Sequence, residues 1–164
     1  MKKLKTILLA GVLTAGVFST AVFQSCNSDA CADVVCSNGG ACVDGTCACP
    51  AGFEGAKCET LSRDKFIGVY TGAETCTTGT DNYSVTISTN SDKTKFNIQN
   101  LYNNTPSLTA IASANGNAFS IPSQTVGAGI TASGTGTING NTITISYTVS
   151  DGTNTNACTY IGNK

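Results

Sequence analysis

Cysteine is the residue of this 164-residue chain with the widest chemistry, because a thiol can be oxidised, acylated or bound to a metal. Spacing divides the nine cysteines into one, six and two. They are Cys26 alone, then the cluster Cys31, Cys36, Cys42, Cys47, Cys49 and Cys58, then the distant pair Cys76 and Cys158. Cys47 and Cys49 are too close together for the usual spacing of zinc ligands. In an exported chain the six clustered cysteines predict three disulfides, and we expect no metal ion and no cofactor.

The other chemically active residue types argue against catalysis. The chain has no histidine, which removes the nucleophile-histidine arrangements of hydrolases and histidine-ligated metals. The acids of the C-terminal part stand beside turn or polar residues, which indicates solvated positions rather than a paired acid/base site. They are Asp64, Glu74, Asp81, Asp92 and Asp151. We therefore predict no catalytic residues and no enzymatic activity.

Net charge argues against a nucleic-acid partner. Lysine and arginine total nine against ten acids, and three of the lysines fall within the first five residues. A protein that binds a phosphate backbone needs a surplus of cations to displace counterions. We therefore expect no binding to nucleic acid.

The N-terminus has the pattern of an export signal. Lys2, Lys3 and Lys5 precede a run from Thr6 to Ser28 that contains no charged residue. The run includes Phe23-Gln24-Ser25-Cys26, which resembles the lipobox of bacterial lipoproteins. The resemblance implies removal of residues 1–25, a lipid on Cys26 and a tether of residues 26–30. Simple secretion and an uncleaved membrane-spanning helix are the alternatives. Asn27 in place of aspartate gives no inner-membrane retention signal, so the expected location is the outer membrane of a bacterial envelope.

The cysteine cluster carries a second resemblance. Residues 36–42 read CSNGGAC and residues 47–58 read CACPAGFEGAKC. This spacing, with its two glycines and one aromatic residue, is similar to an EGF-like domain of the tenascin type over residues 31–58. The resemblance implies the pairs Cys31 with Cys42, Cys36 with Cys47, and Cys49 with Cys58. Disulfides would replace the core that so short a unit cannot form.

Some members of that family bind calcium near the first cysteine. Asn27, Asp29 and Asp44 match the ligand positions in part, but Ala30 stands where an acid is expected. Calcium prefers six to eight oxygen ligands, which these side chains do not supply. Solvated acids are therefore the favoured interpretation, and weak calcium binding is the alternative.

The remaining chain predicts a second domain that is mostly β. Residues 59–65 form a short charged segment that we interpret as a linker, and residues 66–164 alternate apolar and polar positions, as in Ile143, Ile145 and Tyr147. The predicted strands lie near 66–77, 82–89, 94–101, 107–113, 117–125, 129–138, 142–150 and 154–161. Asn115-Gly116, Asn139-Gly140 and Asp151-Gly152 suggest two-residue hairpin turns in which both central residues have positive φ.

An antiparallel meander of eight strands forms either a barrel or a two-sheet sandwich. Cys76 and Cys158 fall in the first and last predicted strands, and a disulfide would require these strands to be neighbours. This favours an eight-stranded barrel. Residues 66–70 faintly resemble the start of lipocalin-like barrels. Tyr70, Tyr83, Tyr102, Tyr147 and Tyr160 could line a ligand cup, although aromatic residues at strand spacing usually form the core.

Together these observations predict a non-enzymatic, membrane-anchored envelope lipoprotein with a binding or surface-interaction role. Its lipid anchor would lie in the membrane, and its partner would be a protein or a glycan. One alternative is a lipocalin-like carrier of a small apolar ligand. Another is a secreted enzyme inhibitor.

Overall fold

The computed structural model describes residues 30–103 and 108–164. The predicted signal peptide, the lipidation site Cys26 and the possible calcium ligands Asn27 and Asp29 lie outside the described residues. None of the helices formed by the described residues is long and apolar enough to cross a membrane.

Residues 31–58, which we name the cystine module, are held together by disulfides rather than by a core. The bonds join Cys31 with Cys42, Cys36 with Cys47, and Cys49 with Cys58, the same pairs that the resemblance implies. Strand β1 (Ala41–Val43) pairs with β2 (Thr46–Ala48), and β3 (Phe53–Glu54) pairs with β4 (Thr60–Leu61). Cys58 is the buried hydrophobic residue of the module.

The rest of the described chain is a closed eight-stranded antiparallel barrel. Its strands are β5 (Gly68–Cys76), β6 (Gly79–Thr89), β7 (Lys95–Leu101), β8 (Leu108–Asn115), β9 (Ala118–Gly127), β10 (Ile130–Asn139), β11 (Thr142–Ser150) and β12 (Thr155–Asn163). Each strand pairs with the next, and β12 pairs with β5 to close the barrel. The mostly β fold and the barrel are confirmed, and the sandwich alternative is wrong. Cys76 and Cys158 face each other across the closing pair and form a disulfide.

Alternation along the strands builds the barrel interior. In β11, Ile143, Ile145, Tyr147 and Val149 are buried, while the threonines and serines between them are half-buried or exposed. The largest fully buried side chains of the barrel come from β5–β8, β11 and β12: Tyr70, Val85, Ile87, Phe96, Ile98, Leu101, Leu108, Ile143, Ile145 and Tyr160. Side chains therefore fill the barrel as they fill other small barrels.

The hairpin turns differ from the sequence prediction by one residue. Gly116 and Gly140 have φ of +57°, but Asn115 and Asn139 are not among the described residues with positive φ. Each turn uses the glycine as its first central residue and the following asparagine as its second, because Asn115 pairs with Ala118 and Asn139 with Thr142. A glycine at the first central position is typical of the type II′ turn. Asp151-Gly152 lies instead in a four-residue connection, 151–154.

Residues 59–65, interpreted above as a linker, are folded. Thr60 and Leu61 form β4, and a 3-10 helix spans Ser62–Phe66. The helix delivers Phe66 to one end of the barrel, where its ring lies 5.1 Å from Phe96 and 5.3 Å from Phe119. Phe66 is fully buried. We name this end, which the three phenylalanines fill, the closed end.

Arg63 joins the 3-10 helix to the barrel. Its side chain is buried, and Nη1 donates hydrogen bonds to the carbonyl oxygens of Asn90, Asp92 and Lys95 at 2.6, 2.7 and 3.0 Å. A buried guanidinium is stable only when such acceptors surround it. The segment interpreted as a linker therefore contains a buried, hydrogen-bonded side chain, which its charged composition did not indicate.

Two further contacts place the cystine module at the closed end. The Lys65 ammonium lies 2.7 Å from the Glu54 carboxylate, and the Ser62 amide donates to the Gly52 carbonyl at 2.9 Å. A Cβ added at Gly52 would overlap Thr94, which lies in the β6–β7 connection. The module and the barrel are therefore in direct contact.

We predict that Phe66→Ala lowers the free energy of unfolding by about 3 to 5 kcal/mol, since it empties the centre of an aromatic cluster. Urea denaturation measures the change. Val69→Ala is the matched control, because Val69 lies in β5, close to Phe66 in sequence, and is 55% exposed. This substitution should lower the free energy of unfolding by less than about 0.5 kcal/mol. Equal losses in the two variants would contradict the role given to Phe66.

We also predict that the double variant Cys76→Ala/Cys158→Ala loses roughly 4 to 5 kcal/mol of stability, because the bond closes a loop with a sequence separation of 82 residues. Urea denaturation measures the loss of stability, and the double variant keeps the three disulfides of the cystine module. A loss below about 1 kcal/mol would mean that strand pairing alone closes the barrel.

Candidate binding site at the mouth of the barrel

Two cavities open at the end of the barrel opposite Phe66, which we name the mouth. Connections 77–78, 128–129 and 151–154 and Tyr102, the residue after β7, surround it. The first cavity has a volume of about 170 Å³, and the second has about 220 Å³. Thr78 and Tyr102 line both cavities. The two cavities therefore adjoin, with one aromatic residue between them.

Asn156 organises the first cavity. It is 7% exposed, and its Nδ2 donates hydrogen bonds to Thr78 Oγ1 at 2.6 Å and to the Tyr102 hydroxyl at 2.9 Å. Its Oδ1 accepts a hydrogen bond from the Thr77 hydroxyl. One buried amide thus links β12, the β5–β6 turn and the residue that follows β7. A buried amide with all these bonds made keeps its neighbours in fixed positions.

Tyr102 adopts a backbone conformation that is rare for a bulky residue. Its φ is +67°, and Asn100 and Asn103 also have positive φ. Hydrogen bonds hold this segment. The Tyr102 amide donates to the Tyr83 hydroxyl at 3.2 Å, and Asn100 Nδ2 donates to the Ser84 carbonyl at 2.9 Å. Such conformations cost about 1 to 3 kcal/mol and cluster at ligand sites, so Tyr102 is a candidate ligand contact.

Glu74 lies below the second cavity and corrects the sequence analysis. We expected a solvated acid, but Glu74 is only 4% exposed. It points into the barrel because it shares the inward face of β5 with Tyr70, four residues before it, and Cys76, two residues after it. Its Oε1 accepts hydrogen bonds from the hydroxyls of Tyr83, at 2.6 Å, and Tyr147. The sequence analysis expected a solvated side chain because Glu74 stands beside polar residues in the sequence.

The other acids of the barrel domain behave as expected. Asp64, Asp81, Asp92 and Asp151 are exposed. Hydrogen bonds from Thr94 hold the pKa of Asp92 down at about 2, and backbone hydrogen bonds from Asn154 and Thr153 lower the pKa of Asp151. Asp44 is exposed in the β1–β2 turn of the cystine module.

Four of the five tyrosines belong to the core, as their strand spacing indicates. Tyr70, Tyr83, Tyr147 and Tyr160 are buried, whereas Tyr102 is half-buried and lines both cavities. Burial raises the pKa of Tyr70 to about 12. Burial, followed by hydrogen bonding to Glu74, raises the pKa of Tyr83 and of Tyr147 further. The Tyr83 and Tyr147 hydroxyls therefore stay protonated and donate to Glu74, whereas the Tyr70 hydroxyl donates to the Phe66 carbonyl.

Charge is distributed unevenly along the barrel axis. Within residues 30–103 and 108–164, the basic side chains lie in the cystine module or at the closed end: Lys57, Arg63, Lys65, Lys93, Lys95 and Lys164. The acids Glu74, Asp81 and Asp151 lie at the mouth. The mouth is therefore unsuited to phosphate or carboxylate ligands, which require cationic partners.

Comparison of the chain with models of known families, with curated proteins and with solved structures finds no match. The class of protein that the fold and the site define is a disulfide-closed β-barrel with two small cavities at its mouth, one mainly apolar and one more polar. The features that bear on function are the mouth and the entry of the chain at the opposite, closed end of the barrel.

We predict that stability is lost at alkaline pH. Below pH 10 both the folded and the unfolded chain hold their tyrosine protons; above it the unfolded chain releases them, while Tyr83 and Tyr147 in the fold retain theirs. The free energy of unfolding should then fall by about 1.4 kcal/mol per pH unit for each such tyrosine. Urea denaturation between about pH 8 and 11 measures the slope.

Tyr147→Phe is the variant that isolates one of these groups. In this variant the free energy of unfolding should fall less steeply above pH 10 than in the natural chain, because unfolding releases one proton fewer. An unchanged slope would contradict the assignment of the raised pKa to Tyr147.

Proposed function

We propose that the chain is a non-enzymatic, membrane-anchored envelope protein that presents the mouth of its barrel to a ligand or partner. The observation that carries the proposal is the difference between the two ends of the barrel. The chain enters at the closed end, through the cystine module and the 3-10 helix, and both cavities lie at the other end. A lipid on Cys26 would therefore leave the mouth pointing away from the membrane.

The short tether supports this orientation. Residues 26–30 could span at most about 17 Å, so the cystine module would stay close to the bilayer surface. The module contacts the closed end through Ser62, Lys65 and Gly52. It would act as a spacer between the membrane and the barrel.

A rigid scaffold also supports a binding role. A closed barrel has no free strand edge that could pair with other chains, so its contacts with partners are left to loops and cavities. Three disulfides fix the module, which has no large core, and the fourth joins the two strands that close the barrel. The mouth is thus a preformed surface, and a preformed surface loses little entropy on binding.

The carrier alternative finds less support in the geometry. A lipocalin-like carrier needs space inside the barrel, but Phe66, Phe96, Leu101, Leu108 and Ile145 occupy that interior with no exposure to solvent. An apolar ligand would have to displace well-packed side chains. No feature of the described residues favours the enzyme-inhibitor alternative over a binding role.

The proposal predicts two results in intact cells. An alkyne fatty-acid analogue should label the natural chain and not Cys26→Ala. A photo-crosslinking amino acid should capture an envelope component from Thr153, in an exposed connection at the mouth, and not from Asn141, in an exposed turn at the closed end. Asn156→Ala should weaken the capture from Thr153, because Asn156 holds Thr78 and Tyr102 in place.

Different failures would remove different parts of the proposal. Equal labelling of the natural chain and Cys26→Ala would contradict the proposed lipid anchor on Cys26. Equal capture from Thr153 and Asn141, or capture from neither, would remove the mouth as the binding surface.

A further inference from the structure

We infer that the mouth binds a neutral saccharide, with one sugar ring on each side of Tyr102. This inference rests on the proposed function and names the ligand class of the same site.

The cavity volumes suit single rings. About 170 and 220 Å³ correspond to the volume of roughly six and seven water molecules. Pockets for drug-sized ligands usually measure about 300 to 1,000 Å³. Each cavity can therefore take one pyranose ring, and neither can take a lipid chain or a bulky peptide segment. Because Tyr102 and Thr78 line both, two linked rings could occupy the two cavities together.

The first cavity combines apolar and hydrogen-bonding walls. Ile130, Val149 and Tyr102 supply apolar surface, and the exposed Asn154 supplies an amide group. A pyranose ring has the matching chemistry, since its C–H faces are apolar and the hydroxyl groups around its edge both donate and accept. An aromatic ring with a polar tip serves such a ligand well, because its face contacts C–H groups while its hydroxyl reaches water or a hydrogen-bond partner.

The second cavity is more polar. Thr78 and Thr80 contribute hydroxyl groups, and Glu74 and Asp81 contribute carboxylates. Hydroxyl groups rotate to donate or accept as required, and carboxylates accept from sugar hydroxyls. This cavity therefore suits a ring with several free hydroxyl groups.

The charges of the residues that line the cavities favour a neutral ligand over an anionic one. An anionic ligand would find no lysine or arginine among the residues that line either cavity. The carboxylates do not call for a cation, because each already accepts hydrogen bonds. Asp151 accepts from the amides of Thr153 and Asn154, and Glu74 accepts from two tyrosine hydroxyls.

Asp81 follows the same pattern at the rim of the second cavity. Its Oδ1 accepts from the Asn82 amide at 2.8 Å, and its Oδ2 accepts from Asn103 Nδ2. Hydrogen bonds of this kind stabilise a carboxylate without a bound ion. A neutral, hydroxyl-rich ligand is the class that the mouth accommodates best.

Calorimetric titration of the full chain, solubilised in a detergent without a sugar headgroup, tests the inference. The probes are four neutral disaccharides (maltose, cellobiose, lactose and N,N′-diacetylchitobiose) and one anionic disaccharide, digalacturonate. We expect at least one neutral disaccharide to bind with a Kd below about 1 mM and digalacturonate to show no binding.

Variants of Tyr102 test the geometry. Tyr102→Ala removes the ring and should weaken binding by about tenfold, whereas Tyr102→Phe keeps the ring and should stay within about threefold of the natural chain. Asn141→Ala, in a turn at the closed end, is the matched control and should leave the affinity unchanged. Circular dichroism and thermal unfolding confirm that each variant is folded.

Three results would overturn the inference. The first is no heat of binding from any of the four neutral disaccharides up to about 10 mM. The second is binding of digalacturonate as tight as that of the best neutral probe. The third is an unchanged affinity in a folded Tyr102→Ala variant. If crosslinking from Thr153 succeeds while the disaccharides fail, the binding role stands and the saccharide class is wrong.

Discussion

The pairing of β5 with β12 is the constraint on which the rest of the structure depends. These are the first and last strands of the barrel, and their register runs from Cys76 opposite Cys158 to Thr71 opposite Asn163. Gly72 lies opposite Gly162 in this pair, where a Cβ would overlap the carbonyl oxygen of Ile161. The close approach of the two strands therefore requires glycine. Without this pairing the sheet would have two free edges and no enclosed interior.

Closure also assembles the mouth. Glu74 and Thr77 come from β5 and the turn after it, and Asn156 comes from β12. Asn156 bonds to Thr77 and Thr78, while Glu74 receives a hydrogen bond from Tyr147 of β11. The polar groups that line the cavities are thus brought together by the same strands that close the barrel. The strand pairing that closes the sheet therefore also forms the site.

Much of the fold follows from simple sequence signals. Period-two alternation located the eight strands, and the positions of Cys76 and Cys158 indicated which strands must meet. The hairpin turns were placed correctly but were shifted by one residue, since an Asn-Gly-Asn sequence can use either Asn-Gly or Gly-Asn as its central pair. Glu74 could have been recognised as inward-facing, because it keeps the parity of Tyr70 and Cys76.

Other features depend on contacts between distant segments and had no local signal. Arg63 looked like part of a charged linker because its three carbonyl partners lie about thirty residues away in sequence. Tyr102 falls between two predicted strands, and nothing in the sequence indicated the positive φ and the bond to Asn156 that place it at the mouth. Residue type and spacing therefore predicted the scaffold, while the site depends on tertiary hydrogen bonds.

Disulfide mapping of the protein isolated from cells without reductant tests the closure most directly. Digestion and mass spectrometry should give one linked peptide pair that contains Cys76 and Cys158, with the six cysteines of the cystine module bonded among themselves. A bond from Cys76 or Cys158 to the cystine module, or free thiols at both positions, would contradict the closed barrel and the mouth that it builds.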